Sequence, residues 1–264
     1  MKNNVSKFAF ASLAGLLGLF AAVASAQSQN GDFIVAQHGS TVGSAKYKIA
    51  PSSDGFDSTS VVKVSMTDLN YTLSKTEQLA KDNHLSQVQL SASVNGTAVN
   101  TSVTGASNPA QIQLNISSNG QSTNTLLDFH KSAVFMPDFD AGAFETLLQL
   151  ALANNNRDLW AIIPKQAGSV VPIKLATYAD EKGTFNGNPI EVHHLVATIS
   201  GNDTHIFSGP HNHVLQVELP YQGFALVRKG FVLTPPAKAG PPPTPPPGKP
   251  ADNQAPPNQV PPAQ

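Results

Sequence analysis

Residues 87–103 read Gln87-Val88-Gln89-Leu90-Ser91-Ala92-Ser93-Val94-Asn95-Gly96-Thr97-Ala98-Val99-Asn100-Thr101-Ser102-Val103. Val88, Leu90, Ala92 and Val94 alternate with Gln87, Gln89, Ser91 and Ser93, which puts one apolar and one polar face on an extended strand. Asn95-Gly96 supplies the two residues with positive φ that a tight hairpin turn requires. Val99, Thr101 and Val103 resume the alternation on the way back. This stretch therefore reads as a β-hairpin with a dry side and a wet side.

The same period extends outward in both directions. Ile112, Leu114 and Ile116 alternate with Gln111, Gln113 and Asn115 up to Asn119-Gly120, and a return strand covers about 122–129. Earlier strand candidates are 33–37, 43–49, 61–66 and 69–79. Between Asp140 and Asn154 the period changes: Phe144, Leu147, Leu148, Ala151 and Leu152 follow the i, i+3, i+4, i+7, i+8 spacing of an amphipathic helix face. Asp140 is placed to cap that helix, Glu145 to complement its positive end, and Asn154-Asn155-Asn156 to stop it. Strands then resume at 159–163, 169–177, 190–199, 213–219 and 224–233, with turn signals between them that include Gly183, Gly187, Gly201 and Gly209. The expected fold is mainly β: a curved antiparallel sheet or half-barrel covered by one amphipathic helix near 141–153.

Both ends differ from this domain. Residues 1–26 carry Lys2 and Lys7, an apolar run from Phe8 to Val23, and Ala24-Ser25-Ala26, the pattern of a cleaved signal peptide ending before Gln27. The apolar run is short for a bilayer span. Residues 27–233 are expected to form a single β-rich domain. Residues 234–264 collapse to Pro, Ala, Gln, Asn and Lys, with Pro241-Pro242-Pro243 and Pro245-Pro246-Pro247. Such a tail has little apolar surface to bury and favours polyproline II, either as a solvated tail or as a spacer through a cell-envelope layer. Export to a periplasmic or extracellular space is the expected localisation.

Composition narrows the function classes. Losing the two signal lysines from 16 basic residues, against 17 acidic ones, leaves a formal charge of −3. That balance offers no field to attract nucleic acid. There is no cysteine, which excludes disulfides, thiolate metal sites and cysteine nucleophiles. The Asn-x-Ser/Thr sites at Asn70, Asn95, Asn100, Asn115 and Asn202 reflect strands rich in these residues.

No catalytic motif assembles. Ser60-Val61-Val62-Lys63 matches SxxK, yet on a strand positions i and i+3 point to opposite faces. Asp138 and Asp140 are a candidate cation pair better explained by helix capping, and Glu191 with Glu218 a candidate carboxylate pair across strands. Five of the eight histidines fall between 193 and 213. His211 and His213, with His193 or His194 from a neighbouring strand, form the candidate metal set. His194 and His213 also fall in register with apolar neighbours, which favours core or rim positions. No cofactor is expected.

The order of elements resembles the half-barrel superfamily of bacterial lipoprotein carriers and their periplasmic relatives. The matching pieces are Asp32-Phe33-Ile34-Val35 with residues 43–49, the helix at 141–153, Pro172-Ile173-Lys174-Leu175, and Phe224-Ala225-Leu226-Val227-Arg228. The resemblance implies a curved sheet around an apolar cavity, helical segments as its lid, and a non-catalytic carrier of a lipid or other apolar or amphipathic ligand. Phe144, Leu147, Leu148 and Leu152 on the helix, and Val88, Leu90, Ile112 and Leu114 on the sheet, are then the candidate lining. The alternatives are a cell-envelope interaction protein working through its proline-rich tail, and a histidine-based metal protein or metalloenzyme.

Overall fold

The computed structural model describes residues 28–235 apart from 156, 166 and 167. The expected signal segment and all but the first residues of the proline-rich tail lie outside the described residues. Eight strands come first: β1 (Gln29–Gln37), β2 (Ser40–Pro51), β3 (Gly55–Ser65), β4 (Asn70–Ala80), β5 (Leu85–Val94), β6 (Thr97–Gly105), β7 (Gln111–Ser118) and β8 (Gln121–Asp128). Each pairs antiparallel with the next. The founding hairpin is β5–β6, with Val88 opposite Val103 and Leu90 opposite Thr101. Its turn has Asn95 at φ 51° and Gly96 at φ 83°, and Asn119-Gly120, Asn186-Gly187, Ser200-Gly201 and His38-Gly39 repeat this left-handed pair.

A short β9 (Ala133–Phe135) leads through Met136–Asp140 into the helix α1 (Ala141–Ala153), and β10 (Leu159–Ile163) follows. β9 and β10 run parallel, so α1 is the crossover of a β-α-β unit. The remaining strands are β11 (Ser169–Thr177), β12 (Glu181–Phe185), β13 (Asn188–Ile199), β14 (Asn202–Ser208), β15 (Val214–Leu219), β16 (Phe224–Arg228) and β17 (Phe231–Leu233). β16 pairs with β1, Phe33 facing Arg228 and Gln37 facing Phe224, which joins the two ends of the domain. The resulting order is β8 back to β1, then β16, β15, β14, β13, β11, β10 and β9. β12 and β17 branch off the first half of β13 as a small outer flap. The sheet is large and antiparallel apart from β9–β10; among the described residues β8 pairs with β7 and β9 with β10 but not with each other, so the sheet is open between them.

One helix touches β1, β2, β3, β15, β9 and β10, strands far apart in the sheet order, so the sheet bends around it. The turn before β11 reaches the far side: a Cβ at Gly168, whose φ is +86°, would run into the Leu114 side chain on β7. A left-handed backbone at that close approach is a place for glycine.

The bending changes the helix. Ten of its 13 residues are buried, including Gly142, Thr146 and Glu145 as well as Phe144, Leu147 and Leu148. The expected amphipathic cover is a helix enclosed on most sides, and Leu152, assigned to its apolar stripe, is 48% exposed. A second, smaller core of Val192, Phe207, Leu215 and Phe231 lies under the β12–β17 flap.

Candidate functional site

An open cleft of about 570 Å³ lies on the helix side of the sheet. Leu90, Ala92 and Val99 from the β5–β6 hairpin and Ile116 from β7 form one wall. Ile163, Ile199 and Leu219 oppose them, with Phe144 of α1 and Phe139 of the preceding loop between. The hairpin alternation is what aims the first wall inward, since its polar residues occupy the other face. The volume lies within the range of small-molecule sites, as does an apolar wall with a few polar groups.

The loop before α1 is held firmly. Phe139 has φ 58°, a conformation uncommon for a bulky residue. Its ring meets Tyr71 edge-on at 5.8 Å and Phe224 at 4.8 Å. The Tyr71 hydroxyl donates to the Asp138 carbonyl at 3.5 Å. Burial, then the Asp138 and Asp140 carboxylates, push that hydroxyl's pKa above the ordinary tyrosine value.

Behind the cleft sits a sealed ionic cluster. Lys75 and Glu77 point inward from β4, and Lys75 Nζ lies 2.9 Å from Glu77 Oε2 and 2.7 Å from Asp140 Oδ2. All three side chains are fully buried. Asp140 caps α1 as expected, its Oδ1 accepting from Gly142 N at 2.9 Å. Burial alone would lower the Lys75 pKa, but the charges of Asp140 and Glu77 outweigh it and raise the value. Glu77 moves upward too, since burial outweighs the pull of Lys75. Ser58 faces Glu77 and Ser60 faces Lys75 across the β3–β4 pair, and neither buried hydroxyl has a hydrogen-bond partner among the described residues. Period-two alternation hides this cluster, because it marks inward positions by apolar residues and these four are polar.

The acids of the sequence reading part company here. Asp138 pairs with Lys165 at 2.8 Å, whereas Asp140 pairs with Lys75. Glu145 does not serve the helix's positive end: it is fully buried, and its carboxylate accepts from Val214 N at 2.9 Å and meets His213 Nδ1 at 2.8 Å. Glu191 on β13 and Glu218 on β15 are separated by β14 and do not pair across adjacent strands.

The histidines are distributed among separate partners. His193 Nδ1 lies 3.0 Å from Asp180, and His194 lies 3.0 Å from Glu181 and 2.9 Å from His205. His213 belongs to Glu145, and Asn212 at φ 56° breaks the strand alternation that was to align it with His211. Among the described residues no three His, Asp or Glu side chains group as a metal site.

Of the eight candidate lining residues, Phe144 and Leu90 line the cleft. Val88, Ile112, Leu114, Leu147 and Leu148 are buried in the core and take no part in that lining, and Leu152 faces outward. The opposing wall leaves no signal in a linear pattern, because Ile163, Ile199 and Leu219 come from strands whose distance from the hairpin depends on the sheet's bend. No protein-family model, curated protein or solved structure matches this chain.

Proposed function

We propose that this is an exported, non-catalytic binding or carrier protein for an apolar or amphipathic ligand, built as a half-barrel whose open end holds the ligand. The observation that carries this reading is the cleft of about 570 Å³, with an apolar wall on each side and access to solvent. The helix fills one part of the bent sheet and leaves the apolar walls of the cleft uncovered. Methylenes buried there contribute about 0.8 kcal/mol each, offset by the cost of immobilising the chain. The non-catalytic character fits the chemistry of the inner polar groups: Lys75 is shut from solvent between two carboxylates, so it is unsuited to serve Ser60 as a base.

The test is uptake of acyl ligands by the untagged protein, measured by native mass spectrometry, with Ala92→Trp as the blocking variant. Ala92 is a small cleft-wall residue, half-buried, so an indole there fills ligand space. The expected result is one acyl ligand per chain, lost in Ala92→Trp while the melting temperature changes little. Folded protein that takes up no ligand would overturn the proposal.

A further inference from the structure

Asp138 and Lys165 are the charged side chains among the residues lining the cleft. They face each other at 2.8 Å, with Lys165 58% and Asp138 34% exposed. The pair joins the loop before α1 to the turn after β10, so it stands where the apolar walls meet water. Polar Ser200, Asn202 and Gln222, all exposed, also belong to the lining, with Tyr71, Thr101 and Thr204 buried deeper in it.

We infer that the cleft takes a single-chain amphiphile with a zwitterionic headgroup, whose cationic end meets Asp138 and whose anionic end meets Lys165. The inference rests on the carrier reading and adds the headgroup to it. A solvent-exposed ion pair is weakly held, so opening it costs little. A headgroup of both signs then gives each partner a new counter-charge. An anionic head repays only Lys165 and is repelled by Asp138, and a neutral head leaves the protein pair to reform against it. Charge complementarity therefore separates three ligands that share the same chain. The volume suits one acyl chain.

The experiment compares lysophosphatidylethanolamine, the free fatty acid and the monoacylglycerol of equal chain length. Binding is measured by calorimetry below their critical micelle concentrations, on wild type, Lys165→Gln and Asp138→Asn. The expected result is a preference of about tenfold for the zwitterion in wild type, its margin over the fatty acid lost in Asp138→Asn and kept in Lys165→Gln, with melting temperatures nearly unchanged. Equal binding of the three ligands would overturn the headgroup assignment and leave the cleft reading standing. Asp138→Asn tightening the fatty acid without weakening the zwitterion would also overturn it, in favour of an anionic ligand. Failure of all three to bind a folded wild type would remove the carrier reading itself, and this inference with it.

Discussion

Lys75 shows how much one buried side chain can decide. Its ammonium balances two carboxylates, Glu77 and Asp140, with no water to replace it. Removing one partner of such a group leaves uncompensated charge inside, at a cost of about 3–5 kcal/mol. Lys75→Met should therefore lose stability on that order in urea unfolding, and Lys75→Met with Glu77→Leu should lose clearly less. Equal losses would show that the cluster is not coupled as the distances require. His194 sets a pH dependence. Burial, with His205 beside it, lowers its pKa from the ordinary histidine value despite the Glu181 carboxylate. The folded state then resists protonation that the unfolded chain accepts, so stability is present above about pH 6.5 and is lost as pH falls. The melting temperature should drop between pH 7.5 and 5.5, and drop less in His194→Gln, which keeps a hydrogen-bonding side chain there. An identical slope in the variant would contradict this.

At the scale of elements, α1 separates what periodicity reveals from what it hides. Leu148 is 4% exposed, so Leu148→Asp buries an unpaired charge and should cost several kcal/mol (about 3 or more). Leu152→Asp, at 48% exposure, should change stability by less than about 1 kcal/mol. Chemical denaturation of the two variants checks both values, and similar losses would mean the helix is packed otherwise. The helix bounds were legible because the 3.6-residue period, the Asp140 cap and the Asn154 stop agree. Leu152 was misplaced because a spacing rule gives a face but not how far the neighbouring strands extend along it. β9, β12 and β14 escaped notice for different reasons. β9 has three residues, β12 carries Gly183 where a turn was expected, and β14 mixes Asp203, Thr204 and His205 into a strand that is buried on both faces only from Ile206 to Ser208. Phe224–Leu233 likewise divides into β16 and β17 at the positive φ of Gly230.

At the scale of the whole molecule, the sheet's bend makes the cleft. Leu90 and Ile199 are distant in sequence and far apart in strand order, yet they line one space. Half of that wall was readable from the hairpin at 87–103, and the facing half depends on β16 closing against β1 and the turn at Gly168 reaching β7. The same geometry explains why Leu147 belongs to the closed core rather than to the ligand site. Leu147→Trp should overpack and destabilise the fold by about 1–3 kcal/mol, whereas Ala92→Trp should block uptake with little loss; urea unfolding beside ligand titration distinguishes them. Photocrosslinking locates a bound apolar ligand. An acyl chain carrying a diazirine, irradiated with the folded protein and mapped by peptide mass spectrometry, should label Leu90, Val99, Ile116, Phe144 or Ile199. Labelling confined to the polar outer face of β4–β7, or labelling unaffected by Ala92→Trp, would rule out the cleft as the ligand site.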